Sequence, residues 1–172
     1  MPGSSTLSRP TKPSLKIQID GACRGNPGPA GVGVLLLNAQ GRRLKEIATY
    51  LGEATNNVAE FCALIIGLQE ALRTGARQVA VFTDSELLAR QVSGEYRVRD
   101  RQLRWLHVLI QNLLSCFEQV QIQHVPRAKN RQADRLASQA VTEGIRHSTA
   151  SRRKGKAMTV QPPVGQLTLF QD

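Results

Sequence analysis

The 172 residues carry 23 Lys and Arg against 13 Asp and Glu, a formal charge of +10, and are 41% hydrophobic but only 4% aromatic. This length fits one domain of roughly 100–200 residues; the apolar fraction excludes a wholly disordered chain, and no apolar run reaches the roughly 18–20 residues of a membrane span. Cys23, Cys62 and Cys116 lack a CxxC spacing and indicate neither a disulfide framework nor a zinc site, no signal-peptide core precedes residue 15, and the expectation is a cytoplasmic, monomeric protein with a polyanionic partner and no membrane.

Residues 1–14, rich in Ser, Pro and Thr, read as a flexible N-terminal arm. Leu15, Ile17 and Ile19 alternate with Lys16, Gln18 and Asp20, which predicts a strand with Asp20 on the face opposite its isoleucines. The turn residues GACRGNPGPAG follow, then a strand over Val32–Asn38, a turn at 38–41 and a third strand over Leu44–Leu51, an antiparallel meander. A helix is expected from Thr55-Asn56-Asn57, which suit an N-cap, to Arg73, with Gly75 closing it. Glu60 is placed in its first turn, where the helix dipole favours a carboxylate. Gln78–Thr83 reads as a short strand ending at Asp84. Ser85–Val92 and Leu103–Phe117 read as helices separated by the basic connection Gly94–Arg101. Gln119–Val125 alternates as a strand and stops at Pro126, and Asn130 is read as the cap of a last helix that buries Ala133, Leu136, Ala137 and Ala140.

The order β-β-β-α-β-α-α-β-α predicts an α/β class, a mixed sheet with helices packed on it, over residues 15–142. Residues 143–165 read as a basic flexible linker, and the chain turns apolar again at 166–170. The charge divides into +2 on the first fifteen residues, +5 on 16–142 and +3 beyond.

Acidic residues are scarce, so their placement carries information. Asp20 lies on the first strand and Asp84 at the C-terminal end of the fourth. As neighbours in a sheet, those strands would bring them to about 5 Å. Glu60 and Asp134 each lie near a helix start that can be brought over the same sheet edge. Carboxylates this close repel and must take up protons or cations; hard oxygen ligands suit Mg²⁺ or Mn²⁺, and two such ions about 3.5–4 Å apart are a known means of cleaving phosphodiesters. Spacing alone leaves open that the four are unrelated surface groups.

Four blocks resemble those of type 1 ribonuclease H, in that family's order: IDGACRGNPGPAGVG (19–33), TNNVAE (55–60), TDSELL (83–88) and VPRAKNRQADRLA (125–137). The resemblance covers roughly residues 15–142 and is to bacterial and archaeal-like members that lack a basic protrusion. It implies the ribonuclease H-like fold, a five-stranded mixed sheet of an antiparallel meander plus parallel strands, with helices on both faces. It implies an endonuclease that cuts the RNA strand of RNA/DNA hybrids and leaves 5′-phosphate and 3′-hydroxyl ends. Carried over block by block, Asp20, Glu60, Asp84 and Asp134 become the catalytic and metal-holding residues, with two Mg²⁺ ions per substrate complex and Mn²⁺ as the alternative. Cys23, Gly25 and Asn26 would line the RNA side, Asn56 and Asn57 would reach into the groove, and Thr55 would hold a DNA-strand phosphate. Helix capping alone is the competing reading of the asparagines. A catalytically silent hybrid-binding module and another nuclease of the same fold are the competing readings of the whole.

Two departures from the family pattern stand out. The stretch VSGEYRVRDRQLR is too short for the Lys- and Trp-rich protrusion of many members. Arg97, Arg99, Arg101 and Arg104 read either as partial substitutes or as a merely solvated basic face, and Trp105 as a core residue. The histidine that many members place in a longer loop before the last aspartate has no counterpart. His124 falls on the strand before Pro126 and is read as structural, which leaves Arg127 or Lys129 to approach the phosphate. Finally, Gln166, Leu167, Leu169 and Phe170 resemble the peptide by which bacterial proteins bind the replication sliding clamp; the resemblance implies primer or R-loop removal near the replication machinery.

Overall fold

Alternating isoleucines make β1 (Leu15–Cys23) the central strand of a five-stranded sheet, and the computed structural model describes residues 15–154 of the chain, with side chains through residue 149. β2 (Gly28–Asn38) runs antiparallel to β1, and β3 (Arg43–Ala54) antiparallel to β2. β4 (Gln78–Thr83) lies on the other side of β1 and parallel to it, with β5 (Gln119–His124) parallel beyond. The order β3-β2-β1-β4-β5 is the mixed sheet expected from the chain order. The β1–β4 register ends at Gln18 opposite Phe82; beyond it the Asp20 and Asp84 carboxyls interact.

Four helices cover the sheet. α1 (Asn56–Arg73) starts at Thr55, whose hydroxyl accepts from the Val58 amide at 3.3 Å. Its Gly67 rides over Ile17 and Ile19 of β1 and Val34 of β2, sealing the main core around Phe61, Leu64 and Leu68. α2 (Glu86–Val92) and α3 (Arg101–Leu114) are capped by Ser85 and Asp100, which accept from Leu88 and Leu103 amides. α4 (Arg131–Lys154) packs over β1, β2 and β3 on the opposite face. A short 3₁₀ turn, Arg127–Lys129, leads into it.

Two glycines set how closely the helices approach. A Cβ on Gly21 would overlap the Glu60 backbone nitrogen and stand 2.5 Å from the Ala59 carbonyl carbon. A Cβ on Gly33 would overlap the Ala133 carbonyl oxygen and stand 2.5 Å from the Ala137 nitrogen. The obstructing atoms are backbone, which cannot step aside as a flexible side chain does. Gly33→Ala is therefore expected to lower stability by about 3 kcal/mol, read as a fall in urea midpoint at unchanged m-value.

Several expectations are corrected here. Glu60 is the fifth residue of α1, beyond the first turn, because the cap is Thr55, the earliest of the three candidates. The helix expected over Leu103–Phe117 runs from Arg101 to Leu114, since Asp100 caps it earlier. Trp105, read as core, is 72% exposed; the core face of α3 is carried by Leu103 and Ile110. The stretch read as linker from residue 143 begins as helix, with α4 continuing to Lys154 and Gly144 packed against the Tyr50 ring. The arm at 1–14, the remainder of the linker, and Gln166, Leu167, Leu169 and Phe170 lie outside the described residues. Among the described residues no helix is long and apolar enough to cross a membrane.

Candidate active site

The four carboxylates come from four different elements and line one pocket of about 490 Å³. Asp20 enters from β1, Asp84 from the end of β4, Glu60 from α1 and Asp134 from the first turn of α4. Gly21 and Gly33 make this possible, because they let both helices settle close enough to the sheet for Glu60 and Asp134 to reach its edge. Cys23, Arg24, Asn56, Ser85 and Arg127 line the same pocket.

The electrostatics are those of negative groups crowded out of water. Asp20 is 5% exposed and Glu60 6%. Burial, then the charges of Asp84 and Asp134, push the Asp20 carboxyl up to about 8. Burial, then Asp20 and Asp84, push Glu60 up to about 9. Glu60 Oε2 is buried without a hydrogen-bond partner. An orphaned carboxylate oxygen in a cluster of hard oxygen donors fits a divalent cation, which would replace the protons that the repulsion now favours. Among the described residues, however, no three acidic, His or Cys side chains already stand together at coordinating geometry.

The cationic side of the pocket is supplied by arginine. Arg127 Nη2 donates to Asp134 Oδ1 at 2.5 Å, and its charge draws Asp20 and Glu60 back toward ionisation. Of the two cations considered for the phosphate, Arg127 lines the pocket and Lys129 does not. His124 is exposed at the end of β5.

Asn130 is a residue whose part at this site the sequence reading missed. It was read as a helix cap, and its carbonyl does accept the Asp134 amide at 3.1 Å. Its fully buried side chain is used differently: Nδ2 donates to the Ile19 carbonyl at 2.8 Å and to Asp84 Oδ1 at 2.8 Å. One amide thus ties the start of α4 to β1 and to the Asp84 carboxylate. No local pattern separates such a residue from an ordinary cap, because both partners are more than forty positions away. Asn130→Ala removes the donor to the buried Ile19 carbonyl, at a cost of about 1–3 kcal/mol, and frees the half-buried Asp84 carboxylate. A fall in thermal midpoint of several degrees is expected, measured by circular dichroism.

The residues proposed to meet a substrate are arranged around the β1–β2 turn. Gly25 has φ +91°, a conformation that suits glycine. Cys23 Sγ lies 2.6 Å from the Gly25 carbonyl and 3.1 Å from that of Ala54, so it is half-buried and held by backbone. Asn26 Oδ1 accepts the Asn56 amide at 3.1 Å, which joins the turn to the start of α1. Asn56 and Asn57 are exposed there; Asn56 lines the carboxylate pocket and Asn57 a smaller one beside Glu60 and Ser85.

The profile of the family described as reverse transcriptase-like matches residues 18–140. The chain is 40% identical over 148 residues to the bifunctional protein Rv2228c of Mycobacterium tuberculosis, an alignment covering 86% of this chain and 41% of that protein. It is similar to the crystal structure of RNase H1 from the archaeon Halobacterium salinarum, with 40% identity, TM-score 0.73, and coverage of 75% of this chain and 98% of that one. It is equally similar in fold to LC11-RNase H1 in complex with an RNA/DNA hybrid, with 38% identity, TM-score 0.73, and coverage of 76% and 99%. Against curated full-length relatives the chain spans less: 41% of the mycobacterial protein and 62% of the Halobacterium ribonuclease HI.

Proposed function

Because the chain belongs to the ribonuclease H-like family, we propose that it is an endonuclease that hydrolyses the RNA strand of RNA/DNA hybrids. The observation that carries this reading is the convergence of Asp20, Glu60, Asp84 and Asp134 on one pocket in a fold shared with a hybrid-bound ribonuclease H1. Asp20, Asp84, Glu60 and Asp134 would hold divalent cations, Mg²⁺ or Mn²⁺, with Asp20 and Asp84 central because Asp20 within β1 and Asp84 just past β4 interact directly. Bound there as a pair, such ions supply activation of the attacking water and stabilisation of the leaving 3′-oxygen, giving 5′-phosphate and 3′-hydroxyl products.

The chain's own residues do the rest. Asn130 holds Asp84 in one orientation. Arg127, 75% exposed and reaching Asp134 from a short turn, is placed to exchange that partner for a phosphate. Asn56, Asn57 and the turn carrying Cys23, Gly25 and Asn26 would read the minor groove, where 2′-hydroxyls distinguish RNA from DNA. Thr55, already used as a helix cap, would offer its hydroxyl to a DNA-strand phosphate.

Cleavage of end-labelled RNA/DNA, RNA/RNA and DNA/DNA duplexes side by side, with Mg²⁺ and with Mn²⁺, tests the reading. Hydrolysis confined to the RNA of the hybrid is expected; cutting of the DNA duplex, or of none, overturns it. Placement of the enzyme at the replication machinery rests on the peptide at 166–170 alone. Retention of that peptide on purified sliding clamp, lost in Leu169→Ala/Phe170→Ala, is its test.

A further inference from the structure

The carboxylate pocket does not end at the carboxylates. A second depression, lined by Asp134, Arg135, Ser138, Gln139, Thr142, Glu143 and Arg146, shares Asp134 and Ser138 with it and continues along the exposed side of α4. Arg131, Arg135, Ser138, Thr142 and Arg146 recur at spacings of three and four, so they form one stripe along the helix. At 1.5 Å per residue the stripe from Arg131 to Arg146 is about 22 Å long. Arg24 crosses to it from the β1–β2 turn, its Nη2 donating to Thr142 Oγ1 at 2.7 Å, while also lining the carboxylate pocket.

The arginines of this stripe form no ion pairs: none of Arg24, Arg131, Arg135 and Arg146 pairs with a carboxylate among the described residues. Two acids share the depression: Asp134, paired with Arg127, and Glu143, which accepts from the neutral Gln139 Nε2 at 2.9 Å and keeps its charge. Elsewhere Arg43, Arg73, Arg77 and Arg90 pair with Glu46, Glu70, Glu118 and Glu86, while Arg42, Arg97, Arg99, Arg101 and Arg104 form no ion pair among the described residues but do not adjoin the carboxylate pocket. The helix backbone then runs on through Arg152, Arg153 and Lys154.

From these observations we infer that the α4 stripe is a second binding track, which carries the sugar-phosphate backbone of the cut strand away from the carboxylates on one side of the cleaved bond. A polynucleotide fits it better than a folded acidic partner does. The track opens directly from the pocket that would hold the scissile phosphate and combines guanidinium groups with the exposed Ser138 hydroxyl, all of which can donate to phosphate oxygens. Its contacts are to backbone, so it adds affinity and footprint without sequence preference. The inference rests on the proposed hybrid cleavage.

The test compares the full-length chain with Arg135→Ala/Arg146→Ala on RNA/DNA hybrids of three designs: one extended on both sides of the cut, and two each shortened to a few base pairs on one side. On the extended hybrid the variant is expected to raise KM about tenfold while kcat holds. The slope of log binding constant against log salt, measured in an Asp84→Asn background, should become shallower by about 2, close to one counterion per lost phosphate contact. On one of the two shortened hybrids, wild type and variant should coincide. Arg135→Lys/Arg146→Lys should restore most of the affinity. Equal KM and equal salt slope for wild type and the alanine variant on the extended hybrid overturn the track, as does a penalty that persists undiminished on both shortened hybrids. Failure of the wild type to cut any hybrid would instead overturn the functional reading.

Discussion

Asp84→Asn is expected to reduce hybrid cleavage by about 10³-fold or more while leaving the fold and hybrid binding in place. The substitution keeps the shape of the side chain and an oxygen to accept from Asn130 Nδ2, so the 2.8 Å hydrogen bond that ties β4 to α4 survives. What it removes is one negative charge beside Asp20, and with it a hard anionic ligand for the cations that the reaction needs. Cleavage assayed at saturating metal, with binding followed by anisotropy, separates the two effects. Equal cleavage by variant and wild type would remove Asp84 from the mechanism. Loss of binding together with cleavage would make it a folding or docking residue instead.

Without metal, Asp20→Asn and Glu60→Gln are each expected to stabilise the protein at neutral and alkaline pH, although both abolish activity. In the folded state the two carboxyls hold their protons up to about pH 8 and 9; in the unfolded chain they release them near pH 4. The native state therefore binds more protons between these limits, and its stability falls as pH rises from about 4 to about 9. The favourable contribution is complete below the unfolded value and is lost as pH rises through the folded one. An amide at either position removes the ionisation and flattens the slope. At this chain size each kcal/mol corresponds to about 2–4 °C, so thermal midpoints at pH 8 should rise by several degrees. Added Mg²⁺ or Mn²⁺ should raise the wild-type midpoint and narrow its difference from the variants, since a ligand that binds only the native state stabilises it by mass action. A wild-type midpoint that climbs between pH 6 and 8 in chelator would contradict this account of the cluster.

The two expectations share one cause. Carboxylates crowded into one pocket are a burden on the fold while no cation offsets them, and Asn130, Arg127, Gly21 and Gly33 are the means by which this fold bears it. The glycines remove steric obstacles, Asn130 satisfies buried acceptors, and Arg127 offsets part of the negative charge.

Local pattern determined much of this protein. Period-two alternation in 15–20 and the apolar run over 32–38 specify strands. The Thr55, Ser85 and Asp100 caps start helices through bonds that span three residues, so short-range chemistry suffices to place them. Four sequence blocks were enough to nominate Asp20, Glu60, Asp84 and Asp134. What lay beyond the sequence was everything set by partners distant along the chain. The parallel register that seats Asp20 beside Asp84 depends on a crossover through α1. Trp105 reads as core by residue type, yet α3 meets α1 through its other face and leaves the indole in water. The polar stretch after residue 143 reads as linker, but β3 offers Tyr50 for Gly144 to pack on, and the helix continues. Asn130 looks like a cap until the Ile19 carbonyl and Asp84 arrive from two other strands. Local propensity is decided by neighbours within a turn or two, whereas burial, charge repulsion and hydrogen-bond satisfaction are decided by which surfaces the fold presses together.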